Sequence, residues 1–147
     1  MRSRDDGFTL LELIIVLAIT GAMIGIVVSR GPVKSQGLQT RAAAGALAQA
    51  LRAARAQAIE RSQVVTVAID PKRHEFAADN GVIRSLAPGM DISVVPPTLP
   101  GPNGTRLIQF SPDGSASGGA VILGKGKRRL RIDVEWLTGR VKVANAE

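Results

Sequence analysis

Residues 7–28 read GFTLLELIIVLAITGAMIGIVV. From Phe8 onward the run carries a single charge, Glu12. As an α-helix it spans roughly 30 Å, the thickness of a bilayer's hydrocarbon core. A buried helix of a soluble domain carries polar punctuation over such a length, so that reading is set aside. A cleavable secretory signal ends in a small-x-small site, and SRGPVKSQG at residues 29–37 holds none. A plain membrane anchor suits the length and polarity but leaves Glu12 unexplained. A charge at mid-bilayer costs roughly 2.5–3.5 kcal/mol, so an intramembrane carboxylate calls for a partner. Inside the run, Gly21 and Gly25 form a G-x-x-x-G that flattens one side of a helix and lets another backbone approach.

The rest of the chain bounds the class. It has 147 residues and a net charge of +7, enough for one modest domain plus an appendage. The first seven residues are neutral, Arg2 and Arg4 offsetting Asp5 and Asp6, so the excess lies downstream. Such an excess suits anionic partners or a solvated surface, and says nothing about fold. With no cysteine there is no disulfide, thiolate metal site or Cys nucleophile, and His74 alone makes no multi-histidine metal site. No catalytic residue, metal ligand or cofactor is assigned. Lys and Arg flank the run on both sides, at Arg2, Arg4, Arg30 and Lys34, so the positive-inside rule leaves its orientation open.

Beyond the run the pattern changes twice. Arg30, Gly31 and Pro32 predict a kink or short break. Helical periodicity returns over residues 38–61, with Leu47, Leu51, Ala54 and Ala58 on one face. Arg41 and Arg52 project away from that face, and the arginines read as a wet surface. The period then drops to two. Residues 63–69, 75–78, 82–86, 91–95, 106–110, 120–123, 129–136 and 140–143 are strand candidates, joined mostly by short antiparallel connections. Asp70 and Pro71 make a turn, and Asp79, Asn80 and Gly81 a hairpin. Residues 96–104, rich in Pro and Gly, read as a loop. In residues 129–136, Leu130, Ile132, Val134 and Trp136 are expected inward and the charges outward.

GFTLLELIIVLAI at residues 7–19 resembles the class III signal of type IV pilins and of the pseudopilins of type II secretion. FSPDGSASGGAVIL followed by DVEWLTGRVKV, within residues 108–143, resembles the C-terminal signature of the H-type minor pseudopilins. The resemblance implies an α+β, pilin-like fold: a long N-terminal helix, its first half membrane-spanning, on antiparallel β-sheets. It implies a leader at 1–7, a transmembrane helix at 8–28, an amphipathic periplasmic continuation at 29–61 and a β-rich domain at 62–147. A prepilin peptidase/methyltransferase would cut after Gly7 and methylate the amine of Phe8. Glu12 would then neutralise that amine, on its own helix at i and i+4 or on a neighbouring subunit. The glutamate also lies near a helix N-terminus, where the dipole favours it. The implied setting is the inner membrane of a Gram-negative bacterium, single-pass, with a cytoplasmic N-terminus. The implied partners are lipid and other pseudopilins, in a short filament near whose tip this chain would sit, driving protein export.

Other motifs weigh less. GAVILGK at residues 119–125 matches the first seven positions of a P-loop, but Gly126 stands where Ser or Thr holds magnesium, and the apolar interior reads as a strand. SPDGSASGG offers one carboxylate, Asp113, too few for calcium, and reads as a hairpin or Ω-like loop with Asp-Gly at its turn. His74 reads as a solvated loop residue. Lys125, Lys127, Arg128, Arg129 and Arg131, with Arg140 and Lys142, form a candidate patch for an anionic partner. Some type IV minor pilins take up DNA through a Gly-Arg-x-Arg element, which supplies the alternative function. Here it reads Gly139, Arg140, Val141, Lys142, and lysine lacks the guanidinium fork. Aromatic content of 3% disfavours base stacking, and with it nucleic acid as a partner.

Overall fold

The computed structural model describes residues 9–29, 36–78, 81–86, 89–126 and 128–146, without the side chains of 27–29, 36 and 128. The chain divides into two units, Met1–Lys34 and Ser35–Glu147.

In the first unit, helix α1 spans Leu10–Ser29. Thr9 caps it: its hydroxyl oxygen accepts the backbone N–H of Glu12 at 3.3 Å, and its carbonyl accepts that of Leu13. Thr9 and Glu12 thus occupy the N-cap and N3 positions of a Thr-x-x-Glu start. Apolar side chains surround the helix and stay exposed, from Leu10 at 79% to Ile15 at 50%. A helix apolar on every side is one that some other phase or protein must cover. Among the described residues no helix is long and apolar enough to cross a membrane; α1's described side chains end at Ile26, and Phe8 lies outside them. The interruption expected at Arg30, Gly31 and Pro32 also lies outside the described residues.

In the second unit, helix α2 spans Gln36–Arg61. Alanine, the best helix former, fills much of it. Ala44, Leu47, Ala48, Leu51, Ala54 and Ala58 are buried on one face, as the spacing predicts. The helix ends in a Schellman motif: Gln63 N–H bonds the Ala58 carbonyl and Ser62 N–H that of Ile59. Ser62 takes the left-handed conformation that glycine usually supplies there.

Among the described residues nine strands follow: β1 (Val65–Asp70), β2 (Glu75–Ala78), β3 (Ile83–Ser85), β4 (Ile92–Val95), β5 (Leu99–Pro100), β6 (Arg106–Phe110), β7 (Gly119–Lys125), β8 (Arg128–Val134) and β9 (Val141–Asn145). They form two sheets, β3-β2-β1-β6-β5 and β4-β7-β8-β9, and every pairing is antiparallel. Helix α2 packs on both sheets. Its apolar face meets Val67 and Ile69 of β1, Ile108 and Phe110 of β6, Val121 and Leu123 of β7 and Ile132 of β8, all buried. This α+β, pilin-like architecture is the one expected.

Three details depart from expectation. Residues 96–104 hold β5 and a 3₁₀ turn at Pro102–Gly104, not only a loop. Pro100 is tolerated because β5 is an edge strand, where a missing N–H breaks no ladder. Segment 111–118 turns as read: Phe110 bridges Ala116 antiparallel, Ser111 N–H bonds the Ser115 carbonyl, and Asp113 and Gly114 sit at the tip, before the chain enters β7 in the other sheet. Trp136 does not face inward: β8 ends at Val134, and the indole is 64% exposed in the following turn. Arg52 and Arg55 are not simply a wet face, as the next section describes.

The remaining turns follow the sequence. The Asp70 carboxylate accepts the N–H groups of Lys72 and Arg73. The β2–β3 hairpin pairs Phe76 with Arg84, and Gly81 carries its positive φ of 73°; Asp79 and Asn80 lie outside the described residues. Residues 119–125 are a central strand, as argued against the P-loop.

Candidate assembly site

Helix α1 contributes the first candidate group. Glu12 sits in its first turn, where the unpaired N–H groups and the dipole favour a negative charge. Gly7 and Phe8, the processing residues, lie outside the described residues. Gly21 and Gly25 face open space: a Cβ built on either meets nothing within 4 Å.

The basic residues separate into two groups. Lys125 and Arg128 pair across the β7–β8 hairpin, and Gly124 pairs with Arg129. Lys127 lies outside the described residues. Lys142 pairs with Asp133 near the other end of β8, and Arg140 lies just beyond Val134. From Arg128 to Val134 is about 20 Å along a strand, so the structure does not gather these cations into one surface. Arg131 is neutralised locally, its Nε donating to Asp133 Oδ1 at 2.7 Å.

The structure does gather the two segments of the C-terminal signature. In segment 111–118, Asp113 Oδ1 accepts the hydroxyl of Ser115 at 2.6 Å and its N–H at 3.0 Å. Ser117 N–H reaches the Gln109 carbonyl in β6, and Ala116 N–H reaches that of Trp136 after β8. One loop thereby stitches both sheets. The β8–β9 turn closes with Gly139 N–H on the Glu135 carbonyl and Glu135 N–H on that of Arg140. Its Thr138 hydroxyl donates to the Glu135 carboxylate at 2.9 Å.

Helix α2 holds both segments. Arg55 Nε donates to the Gly114 carbonyl at 3.0 Å, and Arg52 Nη2 to the Val141 carbonyl at 3.2 Å. Gly139 is buried against Arg55 and the Gly114 carbonyl. An open depression of about 310 Å³ lies here, lined by Arg52, Arg55, Thr138, Gly139, Arg140 and Val141. Helical spacing places Arg52 and Arg55 off the apolar stripe, and charge alone suggested solvent. The missed signal was their three-residue spacing on a helix that borders two sheet-end turns.

The Ser115 hydroxyl, then its N–H, hold the Asp113 carboxyl below the usual carboxylate range. A lowered folded-state value makes this turn's contribution complete above the ordinary carboxylate range, and acid removes it as pH falls through the folded value. In an NMR titration the Asp113 carboxyl should titrate below a random-coil aspartate; a midpoint at or above the coil value would show the Ser115 bonds to be absent. Among the described residues no group of three His, Asp or Glu is placed to hold a metal. His74 is half-buried in the β1–β2 turn, and its carbonyl accepts the N–H of Leu86.

Comparison with known proteins agrees with both segments. The family described as "Type II transport protein GspH" matches residues 43–138, and the "Prokaryotic N-terminal methylation motif" matches residues 2–28. The type II secretion system protein H of Xanthomonas campestris pv. campestris is 30% identical over 144 residues, covering 97% of this chain and 85% of that protein. A crystal structure of the minor pseudopilin EpsH of Vibrio cholerae superposes with a TM-score of 0.61 at 16% identity, over 77% of this chain and 99% of that one. The type IV minor pilin FimU of Pseudomonas aeruginosa gives 0.51 at 13% identity, over 71% of this chain and 91% of that one. The structural likenesses establish a shared fold, and the matches along the sequence establish descent: this chain belongs to the GspH family of type II secretion.

Proposed function

We propose that this chain is a minor pseudopilin of a type II secretion system, assembled with other pseudopilins near the tip of a short periplasmic filament that drives protein export across the outer membrane. The observation that carries this reading is the coexistence, on one chain, of a methylation motif over residues 2–28 and a GspH body over residues 43–138. Prepilin peptidase cuts after Gly7 and methylates the Phe8 amine. Residues 8–28 then anchor the protein once in the inner membrane, N-terminus cytoplasmic and body periplasmic. That span counts Phe8, Val27 and Val28, which extend α1's described side chains at both ends. Glu12 neutralises the new amine of its own or an adjacent subunit, and Gly21 and Gly25 admit a neighbouring helix. The chain performs no catalysis; it is a structural subunit and a substrate of the peptidase.

Mass spectrometry of the membrane-extracted protein tests this reading. The mature chain should begin at an N-methylated Phe8, and Gly7→Ala should accumulate the precursor that begins at Met1. Mature-size Gly7→Ala protein at the normal level, or a wild-type chain that begins elsewhere, would overturn the assignment. The pilus reading has only the FimU fold likeness, at 13% identity, and no observation of its own.

A further inference from the structure

The depression between α2 and the β8–β9 turn has a charge problem that the fold leaves unsolved. Among the described residues, three of the six that line it are arginines, Arg52, Arg55 and Arg140, and none is acidic. Among the described residues, none of the three arginines makes a salt bridge. Arg52 and Arg55 each give one donor to a backbone carbonyl, and a guanidinium has five. Those two bonds hold the guanidiniums in place and leave most of their donors unspent. Three like charges around one depression favour an anion that enters it.

The rim adds a second, apolar feature. Trp136 and Leu137 stand in the same turn, 64% and 62% exposed. They are not on a floppy tip: the turn is closed by four hydrogen bonds among Glu135, Thr138, Gly139 and Arg140, and Trp136 is tied to Ala116 through its carbonyl. Tryptophan and arginine are the residues that dominate binding energy at protein interfaces, and a preorganised turn lowers the entropic cost of docking.

We propose that Arg52, Arg55 and Arg140, with Trp136 and Leu137 on the rim, form the docking site for a carboxylate-bearing segment of a sibling pseudopilin. This rests on the pseudopilin reading above and names the surface through which it acts. A carboxylate accepts two parallel guanidinium N–H bonds, which gives the contact its geometry as well as its charge. Apolar residues beside that carboxylate cover the indole and Leu137. A nucleic-acid backbone is the poorer fit. It needs cations along a track with aromatic faces between them, whereas Lys125 and Arg129 lie at the far end of β8, about 20 Å away.

The test is photo-crosslinking of the full chain in its own host cells, with benzoylphenylalanine at Leu137 and, as control, at Ile83, which is 64% exposed on edge strand β3. The Leu137 probe should capture a sibling pseudopilin through a peptide that contains Asp or Glu. Paired Arg52→Glu and Arg140→Glu substitutions should lower that product about tenfold or more. Both arginines are exposed, and unchanged protease resistance of the variant confirms that it folds. Reversal of the partner's acidic residue to Lys should restore the product in the charge-reversed variant. Capture at Ile83 but not at Leu137 overturns the site while leaving filament membership intact. Capture at neither position counts against membership as well. A Leu137 product with lipid, DNA or another copy of this chain, or one indifferent to the arginine reversals, also overturns the proposal.

Discussion

Glu12→Val should leave cleavage after Gly7 intact and lower incorporation into the filament by about a hundredfold or more. The contrast comes from what the substitution removes. The bond that starts α1 runs from the backbone N–H of Glu12 to the Thr9 hydroxyl, at 3.3 Å. Valine keeps that N–H, so the helix still begins at the same place. What disappears is the carboxylate, and with it the counter-charge proposed for the methylated Phe8 amine. Leaving one charge of a water-excluded pair unpaired costs about 3–5 kcal/mol, and each 1.4 kcal/mol is a factor of ten. Glu12→Asp, one methylene shorter, should recover part of the loss. The measurement is the amount of mature protein in sheared filaments against the amount in the membrane. Normal incorporation of the valine variant would mean that the charge pair is irrelevant to assembly.

Gly139→Ala should be strongly destabilising for a single-methyl change. Gly139 has a φ of 60°, in the left-handed region, and a Cβ there collides with the Gly114 carbonyl oxygen and the Arg55 side chain. Backbone strain of this kind costs about 1–3 kcal/mol, and overpacking a tight contact a further 1–3. Together they should lower the thermal midpoint of the protein by roughly 10–20 °C. The effect should reach beyond the turn, because the Gly114 carbonyl is also the acceptor for Arg55, the bond that anchors segment 111–118 to α2. Ala substituted at Gly45 is the control: that glycine is exposed in mid-helix with nothing within 4 Å of its Cβ. It should stabilise by up to about 1 kcal/mol. A Gly139→Ala protein as stable as the parent would show that the two turns are not packed as described.

The periodicities carried much of the fold. Leu47, Leu51, Ala54 and Ala58 are all buried, because a 3.6-residue repeat leaves one face to bury whatever covers it. Eight of the strands lie close to where alternation and turn residues put them, and Gly81 has the positive φ that the hairpin required. β5 escaped because its composition is that of a loop; it pairs only Leu99 with Leu107 and Pro100 with Arg106. Trp136 was misplaced by extending a period-two pattern one residue pair past the strand's end at Val134. Thr9 and Glu12 spell a helix start that was legible in the sequence and went unread beside the stronger apolar signal.

By itself, then, the sequence determined the family, the two helical segments, the alternating strands and the place of the one acidic residue in the apolar run. Those are local properties: a motif, a period or a turn depends on residues within a few positions of one another. Only the tertiary structure decided that residues 111–118 cross between sheets, that Arg52 and Arg55 grip the two signature segments, and that Arg140 joins them while Lys125 does not. Those facts depend on sheet order and strand register, which are set by how α2 and both sheets share one core, and no short window of the chain contains that information.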